Sequence, residues 1–477
     1  MVLIVLAASA ACSGGAPATF APTSEPATTT TGADTTTTGA PVAGGPGAPG
    51  VGDEYFPALG NGGYDVTHYD LQLRYDPESG NLDGTATVLA TATSDLSSFN
   101  LDLSGLDVGS VTVDGAAASF SRIESELTLT PARPIRRADE FTVAVAYRGT
   151  PSPIPSTALG HTGWFTVDSG GAFTLNEPEG AESWYPVNDH LSDKATYSFG
   201  ITVPEAFDVI ANGESVGDVP ADPGFVTHSF RVLHPMASYL ASVNIGHFEF
   251  EQAQGPAGLL VRNAFADAVA AEASATFARQ PEMIEYFASV FGPFPFEAYG
   301  AVVVDRDLGL ALENQTLSLF GRDVVGAPAE NETVAHELAH QWFGDSVTPS
   351  TWKDIWLNEG FATYAQWLWT EHAGGPTVDE QARTYVDAGF SPPGDPGPDD
   401  LFGGAVYIRG ALTLHAVRLT VGDDAFFEML RTWAGENRDS NVATPDFVAL
   451  VNRIAGQDLE PLLTAWLYDP VQPGLPG

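Results

Sequence analysis

The stretch that most constrains this chain is His336-Glu337-Leu338-Ala339-His340. Each residue of a helix turns about 100°, so two histidines four apart lie about 40° apart around the axis. Both imidazoles then reach one ion, an arrangement suited to zinc. Glu337, beside the first histidine, is placed to take a proton from water at the metal. The surroundings read as a helix: Val334, Leu338, Trp342 and Phe343 supply apolar contacts and Gly344 a stop. The competing reading is a core helix with two satisfied histidines, and a third ligand decides between them. Glu359 follows nineteen residues after His340, inside Trp356-Leu357-Asn358-Glu359-Gly360-Phe361-Ala362. The segment from about Lys353 to His372 reads as a second helix ending at Gly374-Gly375. Its Glu-Gly start suits close packing on the first helix. A carboxylate there completes the set His336, His340, Glu359 and leaves a fourth position for water.

The chain around this motif has 477 residues, 44% of them apolar, enough for two or three domains with real cores. From Tyr55 to about Phe250 the signal has period two. Tyr69, Leu71, Leu73 and Tyr75 alternate with polar residues, as do Phe99, Leu101 and Leu103, and Phe141, Val143, Val145 and Tyr147. Turn pairs Asp83-Gly84, Asp114-Gly115 and Asn212-Gly213 separate these runs. Near Gln254 the pattern changes. Ala266 to Phe291 is helical in character, Ala301 to Val304 strand-like, and a further helix begins around Val406-Tyr407-Ile408-Arg409-Gly410.

The start of the chain is of another kind. Met1 to Ala11 is a short apolar run ending in small residues before Cys12, the only cysteine, so no internal disulfide is possible. This resembles a bacterial lipoprotein signal, and a lipidated Cys12 is the expectation, although no basic residue precedes the apolar run and Ser9 stands where such signals usually carry Leu. Residues 13–52 are Thr, Pro, Ala and Gly with almost no large apolar side chain, the composition of a disordered stalk. Fully extended it would reach on the order of 120 Å. The expected organisation is a signal segment 1–12, a stalk 13–52, a β domain 53–253 and a catalytic domain 254–477. The expected location is the outer side of a bacterial cytoplasmic membrane, held by the lipid on Cys12.

Taken together the motifs resemble the gluzincin zinc aminopeptidase family, which includes aminopeptidase N and leukotriene hydrolase. The family pattern is His-Glu-x-x-His, eighteen residues, then Glu, here His336, His340 and Glu359. The family's Gly-Ala-Met-Glu-Asn strand is matched by Leu310 to Asn314, with Leu in place of both Gly and Met. The resemblance implies that Glu313 holds the substrate's free amine and that Ala311 lines the substrate. Tyr407 to Gly410 matches the family's Tyr-x-Lys-Gly helix start, with Arg409 for Lys, and implies that Tyr407 steadies the oxyanion. Asn176-Glu177-Pro178, followed by Trp184-Tyr185-Pro186 and Asp189, resembles the segment that reaches into the family's active site, where Glu177 would be a second amine anchor. The fold implied is multi-domain α+β: an N-terminal β-rich, saddle-like domain, then a thermolysin-like α/β zinc metallopeptidase domain. The resemblance runs over roughly residues 55 to 477 and corresponds to a short form without the C-terminal helical domain of larger members. Position alone also allows bland roles: a core tyrosine for Tyr407, a strand-end carboxylate for Glu313, a solvated loop residue for Glu177.

The net charge of −42, with Lys194 and Lys353 the only lysines, argues against nucleic-acid binding, because phosphate contacts need Lys and Arg. The expectation is a zinc aminopeptidase with one zinc per chain, a Glu337 base, and peptides with a free N-terminus as substrates. Two alternatives stay open: a zinc endopeptidase on the same catalytic domain, and a surface-anchored binding lipoprotein with a vestigial site.

Overall fold

The structure, a computed structural model, describes residues 44–327 and 332–477. Cys12, the signal segment 1–12 and most of the expected stalk lie outside the described residues. The last stretch of that stalk is a correction. Gly45–Pro46 forms a short strand parallel to Leu96–Asp102. Gly47 then donates to the Ser98 carbonyl at 2.8 Å, and Ala48 and Gly62 exchange backbone hydrogen bonds. Low apolar content hid this, because the segment is held by backbone pairing rather than by side-chain burial. Asp53, just beyond, accepts hydrogen bonds from His190 of the β domain and from the Trp352 backbone of the catalytic domain. Burial opposes its charge, but His190 and the Phe56, Trp352 and Tyr55 amides hold its carboxyl down at about 2.

The β domain contains sheets of eight, four and five strands. Tyr64–Asp76 lies inside the eight-stranded sheet, antiparallel to Asn81–Ala92 and parallel to Ala195–Pro204. Its Tyr69, Leu71, Leu73 and Tyr75 are all buried, as period two requires. The strand Leu96–Asp102 breaks that rule, since Asn100 and Asp102 are buried alongside Phe99 and Leu101. Asp114-Gly115 and Asn212-Gly213 are turns between strands, as expected. Asp83-Gly84 is not: it lies within the strand Asn81–Ala92. Gly84 is there because the Tyr147 ring occupies the space a Cβ would need, 2.2 Å away.

The second half is built on a mixed sheet. Phe248–Gln254, Leu260–Ala266, Ala301–Val303, Ser318–Phe320 and Ala311–Leu312 follow one another in space, so the catalytic sheet begins a few residues before the expected boundary at 254. Its last strand is antiparallel and forms the edge. The expected helical run Ala266–Phe291 splits into Ala270–Phe277 and Gln280–Phe291. Next come the helices Glu332–His340, Trp356–His372 and Gly404–Val421. Gly360 packs against Gly410 of the last of these, with 2.9 Å between an added Cβ and the Gly410 Cα, rather than against the first metal helix as the sequence suggested. Two facing glycines let these backbones cross closely, and any side chain at either would push the Glu359 helix away.

Lys194 joins the two halves. Its buried ammonium donates to the Asp345 and Ser346 carbonyls, at 2.8 and 3.0 Å, in the turn that follows the first metal helix. Arg409, which replaces the family's lysine, points away from the site. It donates to the carbonyls of Ala465, Trp466 and Asp469 and so holds the end of the helix Glu460–Tyr468. Cationic donors at a helix C-terminus satisfy carbonyls that lack helical partners. Among the described residues no helix is long and apolar enough to cross a membrane.

Candidate active site

His336 and His340 both lie on Glu332–His340, which is buried from Val334 onward. This helix stops at His340, one turn earlier than Gly344. Gly344 is nonetheless needed: its φ is +130°, and an added Cβ would sit 3.1 Å from the His340 Nδ1. That nitrogen donates to the Phe343 carbonyl at 3.0 Å, so the turn after the helix turns the Nε2 lone pair inward. Glu359, in the first turn of Trp356–His372, brings Oε2 to 3.1 Å from His336 Nε2 and 3.5 Å from His340 Nε2. Ligands about 2.0–2.1 Å from a tetrahedral zinc lie about 3.3 Å from one another, so the three atoms have the spacing that zinc needs.

A second group, Glu313, Glu337 and His340, also has its ligand atoms within 4.8 Å of one another. Electrostatics separates the two. Burial opposes the Glu359 charge, but the His340 and His336 imidazoles outweigh it and lower the carboxyl to about 2. Burial instead pushes the Glu337 and Glu313 carboxyls up. A zinc ligand must be deprotonated, so the charge balance favours the set His336, His340, Glu359 over the set with Glu313 and Glu337.

Those neighbours fall where the sequence placed them. Glu313 is 2% exposed and accepts the Tyr239 hydroxyl at 3.2 Å, while its backbone carbonyl accepts Gln341 Nε2 at 2.7 Å. Glu177 arrives from the β domain on the loop after Ala172–Leu175. Its Oε1 is buried with no hydrogen-bond partner among the described residues. Burial first, then the charges of Glu313 and Glu359, push its carboxyl well up. Tyr407, half-buried on Gly404–Val421, lays its ring against His336, with centroids 5.8 Å apart and planes 22° apart. Burial and the surrounding Glu359, Glu177, Glu337 and Glu313 raise its phenol far up, so it stays protonated and able to donate. Ala311 is half-buried on the edge strand. Sequence reasoning missed Tyr239 and Gln341. Gln341 directly follows the motif and was findable; Tyr239 sits in the single turn Ser238–Leu240, which carries no periodic signal.

Comparison with known proteins agrees with this geometry. Residues 275–466 match the Peptidase family M1 domain and residues 66–240 the Peptidase M1 N-terminal domain. An M1 zinc metallopeptidase from Deinococcus radiodurans superposes with a TM-score of 0.83 at 32% identity, over 90% of this chain and 100% of that one. The chain belongs to peptidase family M1, and its architecture is the β-rich domain followed by an α/β catalytic domain of that neighbour. Zinc is the cofactor this membership implies, and the His336, His340, Glu359 set fits it. A structure of the Deinococcus protein holds a Tyr-Ser-Ala substrate. Aminopeptidase N of Streptomyces lividans is 26% identical over 445 residues, 84% of this chain and 50% of that protein. Aminopeptidase N of Lactobacillus delbrueckii subsp. lactis is 26% identical over 454 residues, 86% and 51% respectively. The chain thus spans about half the length of these curated relatives.

Proposed function

We propose that this chain is a zinc-dependent aminopeptidase that hydrolyses the first peptide bond of peptides with a free N-terminus. The observation that carries the reading is the pair of buried carboxylates, Glu313 and Glu177, beside the zinc ligands. A site with a base cuts peptide bonds but does not choose the chain end. Glu313 has one hydroxyl donor and Glu177 Oε1 none among the described residues. An α-ammonium between them would supply the charge-assisted hydrogen bonds that both lack. A blocked amine would leave them buried and unpaired, which is costly and disfavours the endopeptidase alternative.

The remaining residues divide the chemistry. Zinc held by His336, His340 and Glu359 supplies an acidified water and a Lewis acid for the scissile carbonyl. Glu337 takes the proton from the attacking water and later delivers it to the leaving amine, a role that its raised proton affinity suits. Tyr407 donates its phenolic hydrogen to the developing oxyanion. The deciding experiment compares kcat/KM for one peptide with and without N-acetylation, on wild type and Glu313→Ala. Acetylation should nearly abolish cleavage by wild type, and the variant should lose most of the discrimination. Efficient cleavage of the acetylated peptide by wild type rejects the aminopeptidase reading in favour of an endopeptidase.

A further inference from the structure

A groove of about 590 Å³ lies between the β domain and the catalytic sheet, lined by Phe165, Phe173 and Leu175 on one wall and Arg306, Leu308 and Leu310 on the other. Both walls lie close in sequence to the amine anchors. Leu175 is two residues before Glu177, and Leu310 three before Glu313. Between Leu310 and Glu313 the chain is the strand Ala311–Leu312, which pairs only on its Ser318–Phe320 side among the described residues. An open antiparallel edge can take an extended peptide as an added strand. A peptide with its amine at Glu313 that runs along this edge toward Leu310 passes into the groove.

The groove holds a cation without an ion partner. The Arg306 guanidinium lies 5.2 Å from the Phe165 ring centroid and 6.0 Å from that of Phe173, and no carboxylate pairs with it among the described residues. The reason is local. Asp305 and Asp307, the neighbours of Arg306 in the chain, are both taken by Arg322, at 3.1 and 3.0 Å. Asp323 is occupied by the Leu308 and Gly309 amides, at 2.9 and 3.1 Å. The Arg322 amide also donates to the Arg306 carbonyl at 2.8 Å. The loop is therefore held by other groups, and the aromatic faces orient the guanidinium while its N–H fork stays available for a carboxylate.

Strand register gives the reach. Val303 and Ala311 both lie opposite Phe320. From that level Glu313 is two residues away in one direction and Arg306 three in the other. At about 3.3 Å per residue the two are separated by at most about 17 Å along the strand. Resting on the aminopeptidase reading above, we propose that Arg306 receives the C-terminal carboxylate of the substrate. The enzyme is then tuned to free-acid peptides of about three to five residues, the length that fits this span.

The test measures kcat/KM for the tetrapeptide Ala-Leu-Ala-Leu as free acid and as C-terminal amide, on wild type, Arg306→Gln and Arg306→Asp. Wild type is also assayed on leucyl-aminomethylcoumarin, which ends before the groove. Arg306 is exposed, so wild type should favour the acid about threefold, the worth of an ion pair at a solvent-facing guanidinium. Arg306→Gln should bring the ratio near one, and Arg306→Asp should invert it. Equal rates for acid and amide in wild type, with the coumarin substrate turned over, overturn the carboxylate site and leave the aminopeptidase reading standing. A preference for the acid that survives in both variants overturns the role of Arg306. No turnover of any of the three free-amine substrates overturns both readings.

Discussion

Two clusters of buried carboxylates lie close together in this chain, and they are held in opposite ways. Around the metal ligands, Glu359 faces two imidazoles and is kept ionised. In the β domain, buried Asp102, Glu182 and Asp189 and half-buried Glu126 and Glu179 are gathered without a cationic partner for Asp102 or Glu182 among the described residues. Asp102 accepts from Asn61 and the Asp189 amide, and Asp189 from Ser238 and the Glu182 amide. Burial pushes Glu182 up to about 8, with the Asp189 charge adding to it, and Glu179 up to about 7. The difference is one of counter-charge: where imidazoles stand opposite, a buried carboxylate is held ionised, and where neutral donors stand opposite, burial raises its proton affinity. Glu179, Glu182 and Asp189 lie on the segment that carries Glu177, so these acids and their donors help to fix the loop that presents an amine anchor.

The largest expected effect comes from removing the positive side of the first cluster. His336→Ala, or exhaustive chelation, should abolish peptidase activity, and elemental analysis should fall from about one zinc per chain toward none. An active, metal-free protein would mean that this cluster holds its charges as the other does, by protons alone.

Next come substitutions that keep the ligands and change the neighbours. Glu337→Gln should retain zinc and lose roughly 10²-fold or more in kcat, the usual worth of a general base. Tyr407→Phe should lose about 10²-fold through the oxyanion. Near-normal turnover in either variant would remove that residue from the chemistry.

Much of the first cluster was legible in the sequence, and the second was not. The spacing of His336, His340 and Glu359 is short and helical, so a chain of local geometry leads from letters to ligand. Glu313 and Glu177 were reached only through resemblance, since their meeting depends on how the β domain sits on the catalytic sheet. Asp102 was misleading: alternation places it outward, yet it is buried because Asn61 and the Asp189 amide supply donors from distant segments. Period two reports apolar faces and is blind to polar groups satisfied over long sequence distances. Gly84 misled for a related reason, since a turn signal and a packing signal use the same letter.

The second cluster can be tested through stability. Glu182 has a folded pKa of about 8 against an ordinary 4.5, so the folded state binds more protons than the unfolded state between those values. Stability associated with this group is therefore full below pH 4.5 and is lost as pH rises toward 8. Glu182→Gln removes the cost of ionisation and should raise stability at pH 8.5 by on the order of 4 to 5 kcal/mol, with little change at pH 4.5. Denaturant titrations of both proteins across this range should show a shallower pH slope for the variant. An unchanged slope would mean that Glu182 is ionised in the folded protein and that the two clusters do not differ as described.

The smallest effect concerns the residue that links the amine anchor to the β domain. Tyr239 is 1% exposed, its ring packs edge-on against Trp352 with centroids 5.3 Å apart, and its hydroxyl donates to Glu313 Oε1. Burial and the Glu313 charge keep that phenol protonated, so it remains a donor. Tyr239→Phe preserves the ring packing and removes one hydrogen bond, leaving Glu313 free to turn from the position that meets the substrate amine. One such bond is worth about 1 kcal/mol, so KM for a free-amine peptide should rise about fivefold with kcat nearly unchanged. Discrimination against the acetylated peptide should weaken by the same factor. The split between KM and kcat is the informative part. A positioning role moves KM, because the amine is held equally in ground and transition states. A fall in kcat of about 10²-fold at constant KM would instead make Tyr239 the donor to the oxyanion, a role otherwise given to Tyr407.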